Sequence, residues 1–264
     1  MSLEPKVYIV GAGPGDVELI TVKGMRVLQQ ADVVIYTDSL VRDELVEFAK
    51  PDASVYKSAG MALEDIVNLM VTAVGEGKSV ARVHTGDPSV FGAILEQVAM
   101  LRKAGVAYEI VPGVSSVFAA AAAVGAELTV PDLTQTVILT RMGGRTPMPQ
   151  GEQLSGLARH HCTIALYLSA TLAKKAVDEF LEAGWDTQTP VAVVHKATWP
   201  DQKIIRTTLS GLVRAMGDAH ISSHAMILAG WALHPELPEK GDYKSKLYDK
   251  SFTHRYRKGE VAVD

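Results

Sequence analysis

Three short stretches combine glycine, proline, acids and small hydroxyls at the end of an apolar run: GAGPGD at 11–16, GDPSVFG at 86–92 and PGVSS at 112–116. Glycine lets a backbone turn sharply and approach a ligand closely, and ligands of open α/β sheets sit outside the carboxyl ends of the strands. The first loop has the position of a dinucleotide site without its spacing. That fingerprint requires a third glycine five residues after the first, and the position is Asp16. A carboxylate there would repel a pyrophosphate. No Gly-Lys-Ser/Thr follows, so a Walker loop is excluded as well. The chemistry left is that of a small ligand without phosphate, with a plain structural turn as the alternative.

The elements that must position these loops are legible from apolar patterning. Short strand candidates at Val7–Val10, Val33–Tyr36, Ser54–Tyr56, Ser79–Val83 and Tyr108–Val111 alternate with helical patterns near Val17–Gln30, Arg42–Ala49, Leu63–Gly75, Val90–Lys103 and Ser115–Val124. This alternation predicts an α/β domain with a largely parallel sheet. The polar, proline-containing 125–136 interrupts it and reads as a linker. Strands resume at Val137–Leu139, Thr163–Leu168, Val191–Val194, Ile204–Thr207 and Met226–Ala229, with helices near Glu152–Arg159, Leu172–Ala183 and Ser210–Met216. The turn-rich TWPDQ before KIIRTTL predicts a hairpin, hence a mixed sheet. The expected division is an α/β domain over 1–127, a second α/β domain over 128–234 and a basic, aromatic tail over 235–264. The tail reads as a surface segment or as an arm to a partner subunit.

Composition narrows the class. Hydrophobic residues make up 47% of 264, which supports substantial cores, and 26 basic against 30 acidic residues argue against a general nucleic-acid binder. The opening Met-Ser-Leu-Glu-Pro lacks the regions of a signal peptide and no apolar run approaches a membrane span, so a cytoplasmic protein is expected. The single cysteine, Cys162, opens an apolar run and reads as a buried strand residue. His84 reads as a satisfied core histidine, and Ala119–Ala123 as a tightly packing helix. No His, Cys and acid cluster has metal-ligand spacing, so no metal is expected.

Taken in order, VYIVGAGPGD, VHTGDPSVFG and VPGVSS resemble the signatures of the tetrapyrrole methylases, and the resemblance runs over about residues 6–234. ELTVPDLTQTVILTR, KATWPD and AMILAGWAL resemble the branch that acts on precorrin-4. LTVPDLTQTVILTR and KATWPD separate this branch from uroporphyrinogen III methyltransferase and diphthine synthase, which share the glycine loops. The resemblance implies two α/β domains with a cofactor cleft between them, a homodimer, and S-adenosyl-L-methionine as methyl donor, released as S-adenosyl-L-homocysteine. A sulfonium cation without phosphate suits an acid-bearing loop. By motif, Pro14, Gly86, Asp87, Pro88, Val90, Phe91, Ser115 and Ser116 would line the cofactor, with Leu168, Ala197, Ala229 and Gly230 enclosing it from the second domain.

The implied reaction is methylation of C11 of precorrin-4 or cobalt-precorrin-4. In-line positioning can supply most of the catalysis, so no triad and no catalytic base is assigned. Asp87 reads as a binding or turn residue. The macrocycle's carboxylates call for cations: Arg141 and Arg145 in TRMGGRTPMP lead, Lys196 follows, and Trp199 could pack on a ring. The alternatives are another methylase of the same fold and a non-catalytic cofactor-binding module.

Overall fold

The computed structural model describes residues 3–240, 243 and 245–259. The chain divides into two compact units, Met1–Ala119 with Lys196–Asp201, and Ala120–His195 with Gln202–Asp264. The short segment 196–201, continuous in sequence with the second half, groups with the first unit.

The first unit is built on five parallel strands, β1 Val7–Gly11, β2 Val33–Tyr36, β3 Ser54–Lys57, β4 Val80–His84 and β5 Tyr108–Val111, in the order β3-β2-β4-β1-β5. Helices α1 Val22–Gln30, α2 Asp43–Val46, α3 Leu63–Gly75 and α4 Ile94–Lys103 run between them, and α5 Ser116–Ala123 follows β5. Because alternate residues of a strand face opposite ways, one face of the sheet presents Tyr8, Val10, Val34, Ala81 and Val83 to Val27 and Leu28 of α1. The other presents Val7, Ile9, Ile35 and Val80 to Ile66 and Met70 of α3 and Leu101 of α4. Burial on both faces is why β1 and β2 read as near-continuous apolar runs.

Two helices begin later than their apolar pattern. Asp16 caps a single 3-10 turn at Val17–Leu19, Ile20 is extended, and the Thr21 hydroxyl then accepts the Gly24 N–H at 3.1 Å to start α1. Likewise α4 starts at Ile94, because Phe91 and Ala93 take left-handed backbone (φ 54° and 48°).

The second unit holds β6 Val137–Arg141, β7 Thr163–Tyr167, β8 Pro190–His195, β9 Lys203–Thr208 and β10 Ala225–Ala229 in the order β6-β7-β10-β8-β9. Only β6 and β7 pair in parallel; β8 and β9 form the expected antiparallel hairpin, and β10 runs antiparallel to both its neighbours. Helices α6 Leu154–Leu157, α7 Ala173–Glu182 and α8 Leu212–Asp218 cover a core that includes Phe180, Leu166, Ile227 and Leu212. The stretch 125–136 is no free linker: Leu128 and Val130 are buried, and the Leu128 carbonyl accepts the Thr163 hydroxyl at 2.8 Å. Cys162 is buried and burial pushes its thiol pKa up, as suits an inert core residue.

The tail expected over 235–264 is described in part. It carries a short helix, α9 Leu237–Lys240, and a 3-10 turn at Lys246–Tyr248, with Arg257 donating to the Leu247 carbonyl at 2.8 Å. Residues 241, 242, 244 and 260–264 lie outside the described part. Among the described residues no helix is long and apolar enough to cross a membrane.

Candidate functional site

The sheet order places β1 between β4 and β5, so the three glycine-bearing loops leave adjacent strands at their carboxyl ends. Backbone bonds tie them together. Ala12 N–H donates to the His84 carbonyl at 2.7 Å, and Gly13 and Gly86 exchange N–H to carbonyl bonds of 3.2 and 2.8 Å. The Asp87 carboxylate accepts the Ser89 N–H at 2.8 Å, the Ser89 hydroxyl, and the Gly113 N–H at 2.9 Å. One acid therefore fastens the second loop to the third. Burial raises the Asp87 pKa, but these hydrogen bonds outweigh it and hold the carboxyl below its ordinary range.

The contact between the loops is backbone on backbone. A Cβ built on Gly113 would lie 2.2 Å from the Gly86 carbonyl oxygen and 2.7 Å from the Gly11 Cα. Pro14, Gly86, Pro88 and Ser115 are buried in this platform, Asp87, Val90 and Ser116 are half-buried, and Phe91 is exposed. The platform is a cradle of backbone groups with Asp16 and Asp87 beside it. The three loop stretches themselves contain no lysine or arginine. Such a set fits a cationic, phosphate-free ligand.

Beneath the platform, β4 carries two buried polar side chains on one face. Arg82 donates to the Gln97 side-chain oxygen (3.1 Å), the Ser58 hydroxyl (3.0 Å) and the Ile35 carbonyl (3.4 Å), all neutral acceptors, and burial lowers its pKa to about 10. His84 is buried, but it is not the satisfied core histidine expected: its Nε2 has no hydrogen-bond partner among the described residues. Burial first, then the Arg82 charge, pushes its pKa down to about 3, so the ring is neutral at physiological pH.

The segment 196–201 closes on the first loop. The Asp16 N–H donates to the Thr198 hydroxyl at 2.9 Å, and the Trp199 indole N–H donates to the Pro14 carbonyl at 3.0 Å. Ala197 is buried, and Lys196 is paired with Asp201 at 2.5 Å while lying 5.4 Å from the Trp199 ring centre. Trp199 is thus committed to the loop through its N–H, and Lys196 to a neighbouring acid.

In the second unit, Leu168 follows β7 with φ 52° and is 70% exposed, an unusual pairing for a large apolar residue. Buried Ser169 supports this turn, donating to the Tyr167 carbonyl at 2.6 Å and accepting the Met142 N–H at 2.9 Å. Arg141 spends its guanidinium inside its own loop, on the carbonyls of Met142 (3.2 Å), Thr146 (3.1 Å) and Pro147 (3.0 Å). Arg145 stands exposed with no ion pair among the described residues.

Ala229 and Gly230 are not brought together with Leu168. Because β10 is antiparallel, Ala229 pairs with Ile164 and Val191, and Gly230 N–H donates to the Pro190 carbonyl at 3.0 Å. These are the opposite ends of β7 and β8, roughly 13 Å along the strand from Leu168 at ~3.3 Å per residue. The residue that β10 brings to the Leu168 edge is Ala225, opposite His195. An apolar run does not state its direction, so this register is not legible in the sequence. Among the described residues no group of three or more His, Cys, Asp or Glu could hold a metal ion.

Comparison with known proteins places this geometry. The model of the tetrapyrrole (corrin/porphyrin) methylases matches residues 6–213. A protein of Priestia megaterium named cobalt-precorrin-4 C(11)-methyltransferase is 63% identical over 254 residues, 96% of this chain and 98% of that one. The X-ray structure of a cobalt precorrin-4 methyltransferase, CbiF, superposes with a TM-score of 0.86 at 62% identity, covering 88% of this chain and 97% of that one. A uroporphyrin-III C-methyltransferase from Thermus thermophilus, complexed with S-adenyl homocysteine, matches with a TM-score of 0.73 at 29% identity, over 86% and 98% of the two chains.

Proposed function

Because the chain belongs to the tetrapyrrole (corrin/porphyrin) methylases, we propose that it methylates C11 of cobalt-precorrin-4 with S-adenosyl-L-methionine as donor. The observation that carries this reading is 63% identity over nearly the full length of a relative bearing that name. The loop chemistry supports the donor: acids and backbone groups suit a sulfonium, and phosphate-binding cations are lacking from the three loops. When bound, the donor supplies an activated methyl group, which passes in line to the nucleophilic ring carbon as the carbon–sulfur bond breaks.

The chain's own part is positioning. We assign donor contacts to Pro14, Gly86, Pro88, Val90, Phe91, Ser115, Ser116 and Ala197, and to Leu168 in the second unit, with Ala225 replacing Ala229 and Gly230. Asp87 acts by holding the second and third loops together. Arg145, whose charge is uncommitted, is the first choice for a substrate carboxylate; Arg141 and Lys196 already spend donors within the protein. Functionally, 1–127 and 128–234 are taken as the two catalytic domains of a cytoplasmic enzyme, with 235–264 as an appendage.

Incubation with methyl-labelled donor and a panel of cobalt-precorrin-4, precorrin-4, precorrin-3 and uroporphyrinogen III tests this. Label should enter cobalt-precorrin-4. Label entering uroporphyrinogen III alone would defeat the assignment in favour of the reaction of the more distant relative.

A homodimer is the second part of the proposal, with the tail as its arm. Tyr248 and Tyr256 of that tail are 80% and 85% exposed among several cations, which favours a role at an interface. Sedimentation should show twice the 28.3 kDa chain mass. A monomer throughout would reject the dimer, whereas a dimer that survives removal of 236–264 would reject only the arm.

A further inference from the structure

The loop at 11–16 owes its path to a segment more than 180 residues away. Two of its polar backbone groups on either side of Gly15, the Pro14 carbonyl and the Asp16 N–H, are satisfied by Trp199 and Thr198 respectively. Between them, Gly15 makes room for the indole: a Cβ there would lie 2.1 Å from Trp199 Cδ1 and 2.3 Å from Nε1. The segment is itself strained. Thr198 has φ 69° and Lys196 φ 49°, and a β-branched residue in the left-handed region is an outlier that persists only where its surroundings over-determine it. Here they do. The Trp199 backbone N–H closes a turn onto the Lys196 carbonyl at 3.0 Å, Lys196 is tied to Asp201, and the guanidinium of Arg42 lies 5.9 Å from the indole ring centre. Strained backbone held in this way, spent on gripping a glycine loop, is characteristic of pre-organisation at a binding site.

We propose that Thr198 and Trp199 are positioning residues for the methyl donor: together they hold the GAGPGD loop in the conformation that receives it, without themselves recognising the macrocycle. The proposal rests on the reading that this loop seats the donor. It separates the role of Trp199 from that of a stacking platform for substrate, because the indole N–H and one edge of the ring already serve the loop. A purely structural role would lower stability and affect both ligands alike, whereas a positioning role falls on the donor alone.

The test compares Trp199→Phe, which keeps a ring and loses the N–H, with Thr198→Val, which keeps the shape and loses the acceptor, and with Thr198→Ser, which restores the acceptor. Calorimetry with S-adenosyl-L-homocysteine should show about tenfold weaker binding for Trp199→Phe and for Thr198→Val, equivalent to ~1.4 kcal/mol each. Thr198→Ser should bind as wild type. The KM for the donor should rise by the same factor, with the KM for the macrocycle and the melting midpoint nearly unchanged. Wild-type binding that both variants leave within about twofold would overturn this inference alone, as would equal losses for donor and macrocycle. A wild type that binds no S-adenosyl-L-homocysteine would overturn the reading of the loop and this inference with it.

Discussion

Replacing Gly113 with alanine should lower the melting midpoint by roughly 10 °C and remove measurable binding of S-adenosyl-L-homocysteine. The added Cβ would lie 2.2 Å from the Gly86 carbonyl oxygen, 2.7 Å from the Gly11 Cα and 2.8 Å from its carbonyl carbon. All three are backbone atoms of neighbouring strand ends, so no side chain can rotate away. Overpacking typically costs ~1–3 kcal/mol, and a backbone clash belongs at the upper end. For a chain of this size each kcal/mol moves the midpoint by about 2–4 °C. Relief requires the β5 loop to withdraw from the β1 and β4 loops, which strains the Asp87 to Gly113 bond and opens the platform on which the donor is read to lie. Gly60→Ala is the control, since nothing lies within 4 Å of a Cβ there. A folded Gly113→Ala protein with both midpoint and affinity of the wild type would mean that the three loops do not approach as described.

Mild acid should destabilise the protein before its carboxylates titrate. His84 is held neutral down to about pH 3, whereas in the unfolded chain it takes up a proton near its ordinary pKa of 6.5. Between these values the unfolded state binds more protons, so stability falls as pH falls through that window. From pH 7 to 4.5 the loss is about 2.5 kcal/mol from this one residue. Asp32, lowered to about 2 chiefly by its hydrogen bond from Lys50, and Asp87 act in the same direction, but their contributions are lost only further into acid. Urea unfolding at the two pH values should show the loss in the wild type and a markedly shallower dependence in His84→Leu. Equal pH dependence in the two would remove His84 as the cause. In Arg82→Met the imidazole should titrate higher, as followed by NMR, because the Arg82 charge adds to the lowering; it should still titrate below its ordinary range, because burial remains.

Where one element's own residues decide its structure, the sequence was read to the residue. Val33–Tyr36, Tyr108–Val111 and Leu63–Gly75 have the bounds their patterns predict, because burial of an alternating or 3.6-periodic set is a local property of the chain. Helix starts were less legible. Val17 and Val90 continue the apolar pattern of α1 and α4, but Thr21 competes as a cap in the first case and left-handed Phe91 and Ala93 break the second. Nothing local in Phe-Gly-Ala demands a positive φ at phenylalanine.

The candidate site divides along the same line. Gly11, Gly13, Gly86, Asp87 and Gly113 announce themselves, since turns and close approaches need these residue types wherever the strands go. That they form one platform depends on β1 lying between β4 and β5, and that is a matter of strand order. That Ala229 and Gly230 lie at the far end of β10 from Leu168, with Ala225 beside it, follows from strand direction, which pairing partners set. Likewise Arg141 and Trp199 look like free recognition groups in the sequence and prove to be engaged with backbone carbonyls, one within its own loop and one 185 residues distant. Family, α/β alternation and the three loops follow from residue type and local spacing and are legible along the chain. Which strand ends meet, which polar groups remain to hold a ligand, and that buried His84 has a nitrogen without a partner among the described residues are set by folding. Those outcomes depend on contacts between residues far apart in the chain, and no local pattern encodes them.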